Sequence, residues 1–137
     1  MEIAVLRQFA ARYAKAWCSR DAASVAAFFG EGGSLRVNDD PPAVGRVAIT
    51  AVAQGFMTAF PDMRVTMDEV RAAGDGAIFA WTLCGANTGP GGAGNAVSIS
   101  GHETWRFDND GFIAESKGCF DGAEYARQIA GGAGRPG

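Results

Sequence analysis

What is missing bounds the chemistry first. There is a single histidine, His102, and its neighbours give no recognised metal-ligand spacing, so no metal site is expected. The three cysteines, Cys18, Cys84 and Cys119, are odd in number, widely spaced and without a CxxC pair. They read as free thiols of a reducing, cytoplasmic compartment and as small core residues. No Lys/Arg cluster offsets the net charge of -3, which argues against a nucleic-acid or anionic-membrane partner. No apolar run approaches the roughly 20 residues needed to span a bilayer. The first eight residues lack a signal-peptide core, which argues against export. The glycine run from Gly89 to Gly94 has no Lys-Ser/Thr and leads into no helix, so it is not a phosphate loop. No repeat and no second domain is visible in the 137 residues.

What is present is a change of period. Leu6, Phe9, Ala10, Tyr13, Ala16 and Trp17 recur at spacings of three and four, predicting a helix from Glu2 to about Ser19. Asp21 is a plausible N-cap for a short helix from Ala22 to Phe29, ended by Gly30, Gly32 and Gly33. Ser34 to Asn38 is a short strand candidate, and Asp39-Asp40-Pro41-Pro42 forces a loop. A third helix fits Arg46 to about Ala59, stopped by Pro61. Beyond it the period becomes two. Met63, Val65 and Met67 alternate with polar residues, then the phase slips, predicting a bulge near Asp68-Glu69. Gly74-Asp75-Gly76 signals a hairpin turn into a strand from Ala77 to about Thr88. Gly89 to Gly94 reads as a loose connection. Strands follow at Val97–Phe107 and Phe112 to about Asp121, separated by the turn Asp108-Asn109-Asp110-Gly111. A short helix over Glu124 to Ile129 closes one domain over residues 1 to 130, and 131 to 137 read as a disordered tail.

Helices followed by strands argue for an α+β fold, three N-terminal helices packed on one face of a curved, mainly antiparallel sheet. Its concave side would receive Tyr13, Trp17, Phe56, Phe60, Trp81, Trp105 and Phe120. That is more aromatic bulk than a thin core fills without gaps, so a cavity is expected, with Trp17, Phe56, Phe60, Trp81, Trp105 and Phe120 as its binding surface.

One residue breaks the pattern. In Val97–Phe107 the side chains of Ser98, Ser100, His102, Thr104 and Arg106 point one way. Glu103 falls in the opposite, apolar row, between Gly101 and Trp105. A carboxylate facing a core must be paired, protonated or in contact with a cavity. One reading makes Glu103 an acid of raised pKa beside Tyr13, donating to a substrate oxygen. The other makes it a buried ion pair with Arg36, Arg64 or Arg106, or a hydrogen bond to Tyr13 that fastens helix to sheet.

The order of elements, the Phe60-Pro61-Asp62 helix stop, Trp81-Thr82, Gly85-Ala86-Asn87-Thr88-Gly89 and Gly101-His102-Glu103 leading to Arg106-Phe107 resemble SnoaL-like polyketide cyclases over roughly residues 5 to 130. These belong to the nuclear transport factor 2-like superfamily with the ketosteroid isomerases, scytalone dehydratase and limonene epoxide hydrolases. The resemblance implies a cone-shaped roll, a homodimer, and cofactor-free proton transfer. Ketosteroid isomerases use a carboxylate base with a tyrosine and a protonated acid that stabilise an oxyanion. The tyrosine's place, eight residues before the aspartate opening the second helix, is matched by Tyr13 and Asp21. The acid's place is matched by Glu103. The base's place falls on Val37, which cannot abstract a proton, with Asp39 and Asp40 as the nearest carboxylates. The cyclases' histidine and aspartate have loose equivalents in His102 and Asp121, which otherwise read as a surface residue and a helix cap.

Three functions stay open. The first is an isomerase or cyclase acting on a small apolar carbonyl compound, with Glu103, Tyr13 and Asp39 or Asp40 as its catalytic residues. The second is a binding module for a small apolar or aromatic molecule. The third is a dimeric interaction domain with a filled interior.

Overall fold

The change of period at Pro61 divides the chain as expected. The computed structural model describes residues 2–133. Three helices, α1 (Ile3–Trp17), α2 (Ala22–Ala26) and α3 (Arg46–Ala59), precede the long strands β3 (Arg64–Ala73), β4 (Gly76–Ala86), β5 (Ala96–Phe107) and β6 (Ile113–Phe120). Two strands lie among the helices, β1 (Phe29–Val37) and β2 (Ala43–Val44), and a fourth helix, α4 (Gly122–Gly131), ends the fold. All six strands form one sheet in the order β2-β1-β6-β5-β4-β3. Among the described residues only β1 and β6 run parallel; every other pair is antiparallel. The class is α+β.

The glycines at 30, 32 and 33 do not end a helix. They lie inside β1, where the register against β6 shifts between Phe29 and Ser34, so that an irregular strand absorbs them. Helix α2 is accordingly shorter than expected, and Asp21 precedes it without a side-chain cap bond. The bulge at Asp68-Glu69 is where the phase slip places it, between Met67 and Glu69. It shifts the register of β3 against β4, and α1 packs against β3. The Gly89–Gly94 connection is tied down rather than loose. Asn87 donates from Nδ2 to the Ala59 carbonyl, and its own carbonyl accepts from Gly94 N.

The concave face holds a single core. Tyr13, Phe29, Phe60 and Phe79 are among its largest fully buried side chains. Strand β5 keeps its predicted alternation: Val97, Ile99, Glu103 and Trp105 are buried, and Ser98, Ser100, His102, Thr104 and Arg106 are exposed. The three cysteines are free thiols but exposed, not core. Cys18 occupies the open edge of β3, where its Sγ accepts from Val65 N and donates to the Val65 carbonyl. Of the tail expected to be disordered, Gly131 ends α4 and residues 134–137 lie outside the described residues.

Candidate functional site

The site is built where α1 crosses the inner face of β5. The apolar stripe of α1 buries Tyr13 completely, among the edges of Phe28, Phe79 and Trp105 at ring distances of 5.5, 5.5 and 5.2 Å. The phenol needs a partner there. It finds one 90 residues away, donating to Glu103 Oε1 at 2.9 Å. Trp105 Nε1 donates to the same oxygen at 3.0 Å, and the Ser116 hydroxyl at 2.6 Å. Three donors thus converge on Oε1. Oε2 takes no hydrogen bond among the described residues and opens on a cavity of about 60 Å³.

That cavity is almost wholly apolar, and Glu103 is the one carboxylate in its lining among the described residues. Trp17, Phe56, Trp81, Phe120 and Tyr125 supply its aromatic walls, and Leu35, Val37, Val65, Leu83 and Ile99 its aliphatic ones. Two glycines make room for it. Gly118, opposite Glu103 on β6, is part of the lining; a Cβ there would press on the Arg36 carbonyl at 3.2 Å and touch Glu103 Cγ at 3.8 Å. Gly101 leaves space for the Trp81 ring, whose Cζ2 would lie 2.7 Å from an added Cβ. The Trp17 and Trp81 indole nitrogens are buried without hydrogen-bond partners among the described residues. The Trp17 ring lies edge-on to that of Tyr13 at 6.4 Å.

The electrostatics follow from burial. Desolvation raises the Glu103 pKa from its ordinary 4.5, against the opposing pull of the Ser116, Trp105 and Tyr13 donors. Tyr13 is pushed well above its usual value by its own burial and then by the charge of Glu103, so it remains a donor. Burial also raises Tyr125.

Of the residues expected at the site, Trp17, Phe56, Trp81, Phe120 and Glu103 share the cavity. Tyr13 is held behind Glu103, its hydroxyl spent on the carboxylate, and does not line the cavity. Trp105 and Phe60 are also outside the lining. Trp105 stacks on Phe79 at 4.9 Å, and Phe60 is buried with its ring 6.3 Å from that of Tyr125. Asp39 and Asp40 do not reach the cavity. At Asn38 the backbone turns left-handed (φ 50°), and the Asn38 side chain accepts from Phe120 N. The two aspartates are carried onto an exposed turn, where Asp39 lies 3.8 Å from the Arg36 guanidinium. None of Arg36, Arg64 and Arg106 pairs with Glu103. His102 is exposed on the outer face opposite Cys119, and Asp121 caps α4 by accepting from Glu124 N at 3.0 Å. Three residues that matter were not singled out by the sequence: Ser116, Gly118 and Tyr125. The alternation of Ser116, Gly118 and Phe120 along β6 was the available signal for the first two. Among the described residues no group of three or more His, Cys, Asp or Glu side chains could hold a metal ion. Among the described residues no helix is long and apolar enough to cross a membrane.

The sequence matches the family model described as SnoaL-like polyketide cyclase over residues 7–129. The chain belongs to this family. Solved structures of similar fold include a putative SnoaL-like polyketide cyclase from Jannaschia sp. CCS1, at 20% identity and TM-score 0.76, covering 93% of this chain and 89% of that one. A hypothetical protein with a ketosteroid isomerase-like fold from Catenulispora acidiphila, solved with trimethylamine, is 14% identical at TM-score 0.79, covering 90% and 92%. AclR, a putative hydroxylase from Streptomyces galilaeus, is 18% identical at TM-score 0.79, covering 98% and 87%. At these identities the likeness is one of fold. No curated protein matches the chain.

Proposed function

We propose that this SnoaL-like chain binds a small apolar carbonyl compound and moves a proton on it through Glu103, as a cofactor-independent isomerase or cyclase. The observation that supports this most is the free Oε2 of Glu103, a carboxyl oxygen meeting an otherwise aromatic and aliphatic cavity. With its pKa raised by burial, Glu103 offers an O–H to a carbonyl oxygen entering the cavity. As the proton passes to that oxygen, negative charge appears on a carboxylate already faced by three donors. The carboxylate can then take a proton from the adjacent carbon, leaving an enol that reprotonates elsewhere or attacks a second carbonyl. One carboxyl thus serves as acid and then base. Tyr13 orients and polarises it without touching the ligand.

A second reading is favoured by one observation: among the described residues Val37, not a second carboxylate, lines the cavity where the resemblance places a base. In that reading the protein binds its ligand without converting it. The two separate in one experiment. A panel of apolar aromatic ketones and poly-carbonyl compounds is screened by thermal shift, and each binder is then incubated and analysed for product. Glu103→Gln keeps the shape and an N–H donor but cannot transfer a proton. Proton-transfer catalysis predicts binding retained and product lost in that variant. Product formed at the wild-type rate by Glu103→Gln sinks the assignment, and binders that never yield product favour the second reading.

A further inference from the structure

A neutral carboxyl can carry its proton on either oxygen, and the two choices differ completely in what the cavity meets. On Oε1 the proton would be directed among groups that already donate there, from Tyr13 on α1, Trp105 on β5 and Ser116 on β6. On Oε2 it points into the cavity. We propose that Ser116 is the positioning residue that keeps the Glu103 proton on Oε2. This rests on the reading of Glu103 as the donor to the bound ligand.

Three features single out Ser116. Its bond to Oε1 is the shortest of the three, at 2.6 Å against 2.9 and 3.0 Å. It is fully buried, so no water competes for the acceptor. Its position is set by register: Ser116 lies opposite Trp105, and Gly118 opposite Glu103. The serine therefore approaches the carboxyl on a diagonal, from the side away from the cavity. Gly118, having no side chain, leaves the other side open. One short stretch of β6 both fills the back of the carboxyl and empties its front. The other titratable groups around the carboxyl are Tyr13 behind it and Tyr125 across the cavity; no Lys, Arg, His or Asp lines the cavity among the described residues.

The test uses infrared difference spectroscopy on the wild type, Ser116→Ala, Ser116→Thr and Glu103→Gln, with carbonyl-labelled (carbon-13) acetone, a ketone small enough for the cavity, as the probe. The carboxyl C=O band of Glu103 is identified by its disappearance in Glu103→Gln. Loss of a donor to Oε1 is expected to move that band to higher frequency in Ser116→Ala and to raise its titration midpoint, because a bond that favours the ionised form is gone. Ser116→Thr, which keeps the hydroxyl, is expected to return both towards the wild type. An unchanged band and midpoint overturn the inference. A lowered midpoint also overturns it, since Ser116 would then be accepting a proton from Oε1. If Ser116→Ala fails to fold, Ser116→Cys supplies a weaker donor and should move the band part of the way. The probe reports separately on the parent reading. Its ketone band should lie lower in the wild type than in Glu103→Gln, and part of that lowering should vanish in Ser116→Ala. Equal probe bands in the wild type and Glu103→Gln would remove Glu103 as the ligand's donor, while the carboxyl band still decides the role of Ser116.

Discussion

At the scale of single residues, the burial of Glu103 has a consequence for stability. The folded protein holds the Glu103 proton more tightly than the unfolded chain, whose value is near 4.5. Between the two pKa values the folded form binds more protons, so stability falls as pH rises through that window and levels off beyond it. Glu103→Gln removes this contribution. Melting curves across the acidic to neutral range should therefore converge or cross; parallel curves would show that Glu103 titrates as an ordinary carboxylate. A second residue prediction concerns Val37, which lines the same cavity. Val37→Asp places a carboxylate across from Glu103, so like-charge coupling should raise one of the two titration midpoints further. NMR titration of the labelled carboxyls would register it, and two unshifted midpoints would mean that the side chains do not face each other. Glu103 was legible in the sequence because a carboxylate in an apolar row of a strand is a local contradiction. Ser116 was not, because serine on a strand contradicts nothing. Its significance comes from the Trp105–Ser116 register, which only the folded sheet sets. Asp39 and Asp40 misled for the opposite reason. Two carboxylates near the base position look chemical, but the left-handed turn at Asn38 takes them to solvent.

Among the elements, α4 is the one whose role in the site the sequence hid. Asp121 caps it, Gln128 Oε1 accepts from Ser98 N at 2.7 Å, and Asn95 Nδ2 donates to the Ile129 carbonyl. These anchors hold Tyr125 as a cavity wall, its ring 5.4 Å from that of Phe120. Asp121→Ala should cost about 1 kcal/mol by loss of the cap, measured by chemical denaturation; no change would mean that the bonds of Gln128 and Asn95 alone set the helix. The cavity, about 60 Å³, has room for about four waters, less than an ordinary ligand pocket. Tyr125→Ala should enlarge it and speed the binding of larger ketones in stopped-flow measurements. An unaltered association rate would place the entrance elsewhere. The helices α1 and α3 and the bulge in β3 could be read directly, since period and proline stops are local signals. Strand β1 could not. Gly30 to Gly33 look like a helix terminator, and only the parallel partner β6 makes them a strand.

For the whole molecule, the expectation of a homodimer concerns the outer sheet face. Ser98, Ser100, His102, Thr104 and Arg106 are exposed there, and Thr82 bonds both Asp68 and Ser100 at 2.6 and 2.7 Å. The face is polar, so a pair formed through it would be held by hydrogen bonds and close fit rather than by apolar burial. Sedimentation should give twice the chain mass, and His102→Glu, which sets like charges near one another in a symmetric pair, should lower it. A wild-type monomer at every concentration reached would end this proposal. The bond between Tyr13 and Glu103 joins points 90 residues apart in the chain. During synthesis the first helix therefore waits, its phenol unpaired, until the third-last element has emerged, and Ser116 and Gly118 come later still. Slow, late closure of that kind is the kinetic cost of distant contacts. A nascent chain stalled before Ser116 would hold most of the aromatic core and no working pocket, so the cavity should be the last part of this protein to become protected when it refolds.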